Sequence, residues 1–207
     1  MIKVLVIDKH PVIFSGLDAY FKNSRNIKIV GHTADEININ SYLETHQVDI
    51  ILTEIELNQL NGITLIKRIK KNFPELKLIV FTSQAEHIYG SSIIKAGASG
   101  FVSKKQALSE LDQAILNVFN NAIYISESLA KQLTIRPKKT SVSNDFKKLS
   151  SRELEVLNLI SNGKRNIDIA KELALNEKTV STYKTRLMKK LNVSNLVELI
   201  KKAKQEF

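Results

Sequence analysis

A small set of acidic, basic and hydroxyl side chains in the first half of the sequence comes directly after short apolar runs. Asp8 and Lys9 end one run, Glu54 ends another, and Thr82 and Lys104 follow two more. Carboxylates that hold a metal ion are the groups a phosphatase or another metal-dependent hydrolase would use. Hydrolysis is therefore one candidate chemistry, although the ammonium of Lys9 would repel a divalent ion and cannot donate a lone pair to it.

The apolar runs predict the strands that position these side chains. Continuous aliphatic stretches at 2–8, 27–32, 48–54, 76–82 and 100–103 fit strands covered on both faces. Stretches with 3.6-residue spacing, each long enough for one crossover helix, lie between them. Five such units predict an α/β fold with a doubly wound five-stranded parallel sheet. Sites in these sheets lie beyond the carboxyl ends of the strands, where the reactive side chains are expected to gather.

The net charge of +10 is concentrated in the last third of the chain. Residues 1–134 include 14 basic and 13 acidic side chains, whereas residues 135–207 include 17 and 8. This asymmetry predicts a nearly neutral module joined to one that meets a polyanion, with a solvated basic tail as the alternative. The segment 135–145 is polar and lacks an apolar period, which predicts an exposed tether between the modules.

From residue 149 onward the pattern is helical. Ser150 and Glu153 have the spacing of a capping box, a second short helix is expected at 166–173, and Asn176 is the expected N-cap of a third helix at 177–191. One face of that third helix is apolar and the other is cationic and rich in hydroxyls. Such a face after a tight turn between two helices is typical of a DNA major-groove reader, with a merely soluble amphipathic helix as the alternative.

Composition argues against several other classes. The sequence has no cysteine, which excludes disulfides, thiolate zinc sites and a cysteine nucleophile. Apolar runs of four or five residues are far shorter than the roughly 20 needed to cross a bilayer. The absence of cysteine fits a reducing compartment, so we expect a cytoplasmic protein, and the short apolar runs predict no membrane contact. The histidines show no metal-ligand spacing, so we expect no bound metal or cofactor. The four histidines are His10, His32, His46 and His87.

Residues 1–122 resemble the receiver domain of bacterial response regulators, which have a CheY/flavodoxin-like fold. The resemblance implies that acidic residues after the first strand and an aspartate after the third hold Mg²⁺, and that this aspartate accepts a phosphoryl group. It also implies that Thr82 and Lys104 bind the phosphate and that the aromatic Phe101 reorients on activation. The resemblance rests on Asp8-Lys9-His10-Pro11, the strand ending at Glu54, Asn61-Gly62, Thr82-Ser83, Ala96-Gly97-Ala98-Ser99-Gly100-Phe101 and Lys104.

Three departures from the receiver pattern concern phosphoryl transfer. Lys9 replaces the second acidic residue, Glu54 replaces the aspartate, and Asn58 replaces a proline. The first two act against metal binding and against positioning of the acceptor. We therefore predict a receiver that does not use aspartyl phosphorylation. Glu54 can pair with Lys104 or Thr82 and mimic the phosphorylated state, or Lys9 and Lys104 can both hold Glu54 in an inert cluster; residual phosphorylation and a small-ligand site are further alternatives.

Residues 149–207 resemble the LuxR-type helix-turn-helix, through the segments 149–157, 169–173, 178–183 and 189–193. Joined to a receiver, this is the layout of NarL/FixJ-class response regulators. The resemblance implies base contacts by Ser181, Thr182 and Thr185. It also implies backbone contacts by the lysines of the same helix and pairing of two domains through the last helix. Those lysines are Lys178, Lys184 and Lys189, and the candidate dimer residues are Leu196, Leu199 and Ile200.

These observations predict three segments: a receiver-like domain at 1–122, a connecting helix and linker at 123–148, and a smaller all-α helix-turn-helix domain at 149–207. We expect a bacterial transcription regulator, not an enzyme, that binds double-stranded DNA as a homodimer without waiting for phosphorylation. One alternative is a scaffold that binds a regulatory protein partner and touches DNA incidentally. The others are a regulator phosphorylated at a non-standard site and a hydrolase.

Overall fold

The computed structural model describes residues 1–34, 38–58, 60–134, 145–173 and 175–206. Strands and helices alternate through the first part of the chain. The strands are β1 (Ile2–Ile7), β2 (Ile27–Thr33), β3 (Ile50–Thr53), β4 (Lys77–Thr82) and β5 (Gly100–Ser103). The helices are α1 (Pro11–Phe21), α2 (Ile39–Thr45), α3 (Gly62–Asn72), α4 (Glu86–Ala96) and α5 (Leu108–Phe119).

The strands form one parallel sheet in the order β2-β1-β3-β4-β5. The order reverses direction on either side of β1 and β3, which places a crevice at their carboxyl ends. The predicted doubly wound five-stranded sheet is therefore confirmed. One register shift, between Val4 and Leu5, interrupts the pairing of β1 with β2.

Aliphatic side chains cover the sheet on both faces, as the continuous apolar runs predict. Alternate strand residues point to opposite faces. One face, with Val6, Leu52 and Phe81, packs against Leu17 of α1 and Ile115 of α5. The neighbouring strand residues that point the other way are buried as well, so the strand ends are held by a core on each side.

The remaining elements are helical, which confirms the smaller all-α part of the predicted fold. They are α6 (Glu127–Thr134), a 3₁₀ turn (Asp145–Lys148), α7 (Ser151–Ser161), α8 (Asn166–Glu172), α9 (Glu177–Leu191) and α10 (Leu196–Glu206). Ser150 and Glu153 form the predicted capping box of α7, and the Asn176 side chain caps α9 by accepting from Thr179 N. Helix α9 packs against α7, α8 and α10.

The chain divides into two compact units. The first comprises Met1–Gln84 and Ile93–Ala130, and the second comprises Ala85–Ser92 and the chain from Lys131 onward. The predicted tether at 135–145 lies, except for its last residue, outside the described residues. No helix in the described part of the chain has both the length and the apolar character needed to cross a lipid bilayer.

Candidate functional sites

The first site is a pocket at the carboxyl edge of the sheet. Asp8 follows β1, Glu54 follows β3, Thr82 ends β4 and Lys104 follows β5. The structure brings these four predicted side chains into contact with one another. Gly62 is required beside them, because a Cβ there would lie 2.4 Å from the Glu54 carbonyl oxygen.

Glu54 is the centre of the pocket and is only 6% exposed. Its Oε1 accepts from the Ile55 backbone nitrogen at 2.6 Å and from the Thr82 hydroxyl. Its Oε2 accepts from Lys104 Nζ at 2.7 Å. Both carboxylate oxygens are therefore satisfied by the protein itself, which is what a buried charge requires.

Lys104 lies between two carboxylates, because its ammonium donates to Asp8 Oδ2 as well as to Glu54 Oε2. Burial acts to lower the pKa of Lys104, but the hydrogen bonds to Asp8 and Glu54 outweigh burial and raise it. Lys104 is therefore charged at neutral pH. The pocket holds two acids and one ammonium in direct contact.

The residues of this pocket do not fit the magnesium ion that receivers use. Magnesium needs oxygen ligands in nearly octahedral geometry. Here Asp8 Oδ2 and Glu54 Oε2 hold the Lys104 ammonium, and Asp8 Oδ1 accepts from the His10 backbone at 2.8 Å. Among the residues that the structure describes, no group of three acid or histidine side chains could hold a metal ion.

Lys9 has a different partner from the one expected. Its ammonium pairs with Glu56 Oε2 at 3.8 Å, at the rim of the pocket, rather than with Glu54. This corrects the picture in which Lys9 and Lys104 both hold Glu54. Glu56 also accepts a hydrogen bond from Gln84 Nε2 at 2.7 Å. The segments after β3 and β4 are therefore joined at the rim as well as by the Thr82–Glu54 hydrogen bond.

Two histidines at Asp8 were not singled out as pocket residues from the sequence. His10 Nδ1 lies 3.0 Å from Asp8 Oδ1, and His32 Nε2 lies 2.9 Å from the Asp8 backbone oxygen. The signal for His10 was its position two residues after Asp8, where side-chain and backbone contacts of this kind are common. Phe101, the expected switch aromatic, is buried in β5 and its backbone nitrogen donates to the Tyr124 carbonyl at 2.8 Å.

The second site is the exposed face of α9. Val180, Leu187 and Leu191 are buried against the other helices of this unit, which fixes the rotation of α9 about its axis. The six predicted DNA-contacting residues lie on the remaining surface, where five are exposed and Lys184 is half-buried. The five exposed residues are Lys178, Ser181, Thr182, Thr185 and Lys189.

Lys190 stands apart from these lysines because its charge is used within the unit. Its ammonium donates to Glu153 Oε2 at 2.8 Å and to the Lys148 carbonyl at 3.2 Å. Burial acts to raise the pKa of Glu153, but hydrogen bonds from Lys190 and from Ser150 outweigh burial and lower it. The pair links α9 to the start of α7.

Replacing Glu153 with glutamine is expected to destabilise this helical unit by about 1–3 kcal/mol at neutral pH, because the charge-assisted bonds from Lys190 and Ser150 are lost. Folding lowers the pKa of Glu153, so its stabilisation is present above the ordinary value of 4.5 and is lost as the pH falls through the lower folded value. The variant and the wild type should therefore converge in acid. Hydrogen exchange of α7 amides across this pH range measures the difference in stability. Equal protection of these amides in the variant and the wild type at neutral pH would contradict the prediction. The control is Glu177→Gln.

Asn166 is a further residue of this site that the sequence did not single out. Its Nδ2 donates to Ser181 Oγ at 3.1 Å, and Lys184 Nζ donates to its Oδ1 at 3.2 Å. An asparagine at a helix start is ordinarily explained by capping or turn formation. Only the packing of α8 against α9 brings Asn166 beside the exposed face.

Helix α10 has fewer exposed candidate dimer residues than expected. Leu199 is fully buried in its own unit, because the apolar side of α10 packs against α7 and α9, and this removes it from the candidates. Ile200 is half-buried and Leu196 is 39% exposed. Val197, which the sequence did not single out, is 76% exposed beside Leu196.

Comparisons with known proteins identify a family for each part of the chain. A family model described as the response regulator receiver domain matches residues 4–116, and one described as bacterial regulatory proteins of the luxR family matches residues 147–203. The Fimbriae Z protein of Salmonella typhimurium is 34% identical over 202 residues, which are 97% of this chain and 95% of that protein.

Solved structures resemble the whole chain. RcsB from Salmonella enterica serovar Typhimurium, bound to promoter rprA with the phosphomimetic BeF3−, has 27% identity, 99% coverage of both chains and a TM-score of 0.79. A structure of two RcsB dimers bound to two parallel DNAs has 27% identity, covers 97% of this chain and 98% of that one, and has a TM-score of 0.79. The chain therefore belongs to the NarL/FixJ class of response regulators, in which a receiver domain is joined to a luxR-family helix-turn-helix domain.

Proposed function

We propose that this chain is a transcription regulator that binds double-stranded DNA through α9 and acts in the cytoplasm without aspartyl phosphorylation. In this proposal residues 1–122 form a receiver set permanently in one state. Residues 123–148 connect it to the DNA-binding domain at 149–207. The hydrolase alternative has little support, because the pocket carboxylates are occupied by Lys104.

The observation that carries DNA binding is the composition and exposure of the α9 face. Its lysines can neutralise phosphates, and its hydroxyl groups can contact bases. The acid of this helix, Glu177, lies in the first turn, where the helix dipole favours a negative charge. The rest of this helix has basic side chains and no acidic ones, in line with the positive net charge of the last third of the chain.

The contacts of Glu54 support phosphorylation independence. In the receiver family the threonine and the lysine at these positions bind the phosphoryl group. Here the Thr82 hydroxyl donates a hydrogen bond to Glu54 Oε1, and the Lys104 ammonium donates one to Glu54 Oε2. The side chain of Glu54 thus offers these donors the negative oxygens that a phosphoryl group would offer, without a metal ion or a phosphate donor.

A homodimer on a two-fold operator completes the proposal. One small helix-turn-helix rarely supplies enough specific affinity alone. Leu196 and Val197 place exposed apolar surface on α10, and the related RcsB binds DNA as dimers. We propose Leu196, Val197 and the half-buried Ile200 as the dimer contacts.

The proposal is tested by measuring operator affinity against salt concentration with unphosphorylated protein. About four phosphate contacts per subunit give a dimer a slope near −7 in log K against log salt, at about −0.9 per contact. Lys189→Ala should flatten the slope by about 2 and leave sequence preference unchanged. The matched control is Lys28→Ala, which removes an exposed lysine from the receiver unit and should leave the slope unchanged. Binding without sequence preference would overturn the proposal in favour of the scaffold.

A further inference from the structure

The side-chain amide of Asn166 links two side chains of α9. Asn166 is the first residue of α8, donating to Ser181 Oγ through Nδ2 and accepting from Lys184 through Oδ1. Ser181 and Lys184 are three residues apart and so lie on the same side of α9. A single amide on the neighbouring helix therefore holds both of them.

Lys184 determines the orientation of this amide. An ammonium has three donors and no acceptor, so the amide atom that faces it must be the oxygen. The amide nitrogen then faces Ser181, because the two orientations of an asparagine exchange these atoms. The opposite orientation would place the donors of the amide nitrogen against those of Lys184.

The amide in turn determines the polarity of the Ser181 hydroxyl. An amide nitrogen only donates, so Ser181 contributes a lone pair to this contact and its proton is turned away from Asn166. Ser181 is exposed, which leaves that proton available to an external acceptor. Hydrogen bonds in such a chain polarise one another, so the bonds from Lys184 through Asn166 make Ser181 a stronger donor.

Two neighbouring hydroxyls are oriented the opposite way, because each donates its proton to a backbone carbonyl of α9. Thr182 Oγ1 donates to the Lys178 carbonyl at 3.0 Å, and Thr185 Oγ1 donates to the Ser181 carbonyl at 3.2 Å. Their protons are used within the helix, so their oxygens face outward as acceptors. Among the residues that the structure describes, the Ser181 hydroxyl instead accepts a hydrogen bond, from Asn166 Nδ2.

We infer that Asn166 is a specificity-determining residue, because it orients the Ser181 hydroxyl to donate a hydrogen bond to an acceptor on a base edge. The acceptors of this class in the major groove are N7 and O6 of guanine, N7 of adenine and O4 of thymine. Ser181 is the fifth residue of α9, and residues near the N-terminal end of a recognition helix contact base edges. The inference rests on the proposed binding of DNA by α9.

The test is Asn166→Asp in the full chain, with base preferences measured by selection from a random DNA library. A carboxylate keeps the contact with Lys184 but cannot donate, so the Ser181 proton turns inward and only its lone pairs face the groove. At one position of the site, preference should move by about fivefold from an acceptor-bearing base toward an amino group on adenine or cytosine. An aspartate in the first turn of α8 is compatible with folding, which a thermal melt verifies.

Two matched variants make the result decisive. Ser181→Ala identifies the base position, because it should erase preference there. Asn162→Asp adds the same charge at an exposed residue near the end of α7 and should weaken binding without changing preference. The inference is overturned if Asn166→Asp keeps the wild-type preference at the position that Ser181→Ala erases, or if Ser181→Ala erases nothing. A wild-type chain that selects no sequence is a separate result, since it refutes DNA recognition by α9 itself.

Discussion

Replacing Glu54 with alanine is expected to weaken operator binding by about tenfold, within the range of 5–150-fold that is typical of coupling between sites. In the wild type Thr82 and Lys104 donate to the carboxylate of Glu54. Alanine leaves the Thr82 hydroxyl without this acceptor and leaves Lys104 with Asp8 alone. If Glu54 holds the receiver in its active arrangement, the population of that arrangement falls and DNA affinity falls with it.

Operator affinity by fluorescence anisotropy, at a fixed salt concentration, measures this effect. Glu56→Ala is the matched control, because it removes a carboxylate two residues away that pairs with Lys9 and accepts from Gln84 at the rim of the pocket. It should leave affinity near the wild-type value. Glu54→Ala protein that is folded and binds the operator as tightly as the wild type would show that the pocket is inert.

The strands and most helices could be predicted because their apolar residues repeat with the period of the element. The capping box at Ser150 and the cap at Asn176 are local, so the sequence contains all the information they need. The carboxyl edge of the sheet was predictable for a different reason. Topology alone places the ends of parallel strands together, and Asp8, Glu54 and Thr82 stand at those ends.

The partners of Asp8 and Lys9 within the pocket could not be predicted in the same way. Asp8 and Lys9 are adjacent in sequence, yet Asp8 pairs with Lys104, which is 96 residues away, and Lys9 pairs with Glu56. Both residues lie beyond the end of β1, so the strand period does not fix where their side chains point. Which long side chain fills the space between two acids depends on the distance between strands, and the sequence does not contain that distance.

Leu199 and Asn166 illustrate a second limit. An apolar stripe on a helix has the same period whether it covers its own domain or a second subunit, so periodicity could not separate buried Leu199 from exposed Val197. Asn166 contacts Ser181 and Lys184 only because α8 packs beside α9. Local features of a sequence predict caps well, but contacts between helices depend on tertiary packing.

Restoring two acidic residues of the family pattern is expected to restore phosphorylation. In the double variant Lys9→Asp/Glu54→Asp, the second metal-ligand position regains a carboxylate. The acceptor side chain is also one methylene shorter, so it extends less far toward Thr82 and Lys104 than Glu54 does. Magnesium then has the two carboxylates after β1, Asp8 and the new aspartate, in addition to the acceptor. Incubation with acetyl phosphate and Mg²⁺ should add one phosphoryl group, detected by intact-protein mass spectrometry and abolished by chelation of the metal.

The single variant Glu54→Asp is the control that separates the acceptor from the metal site. It supplies the aspartate but keeps Lys9, so its labelling rate should be lower than that of the double variant by on the order of a hundredfold, since the charge that develops during transfer is not neutralised. The wild type should take up no phosphoryl group, and beryllofluoride with Mg²⁺ should leave its operator affinity unchanged. Phosphate found on Glu54 of the wild type, or tighter operator binding with beryllofluoride, would contradict a receiver that is set permanently by its own glutamate.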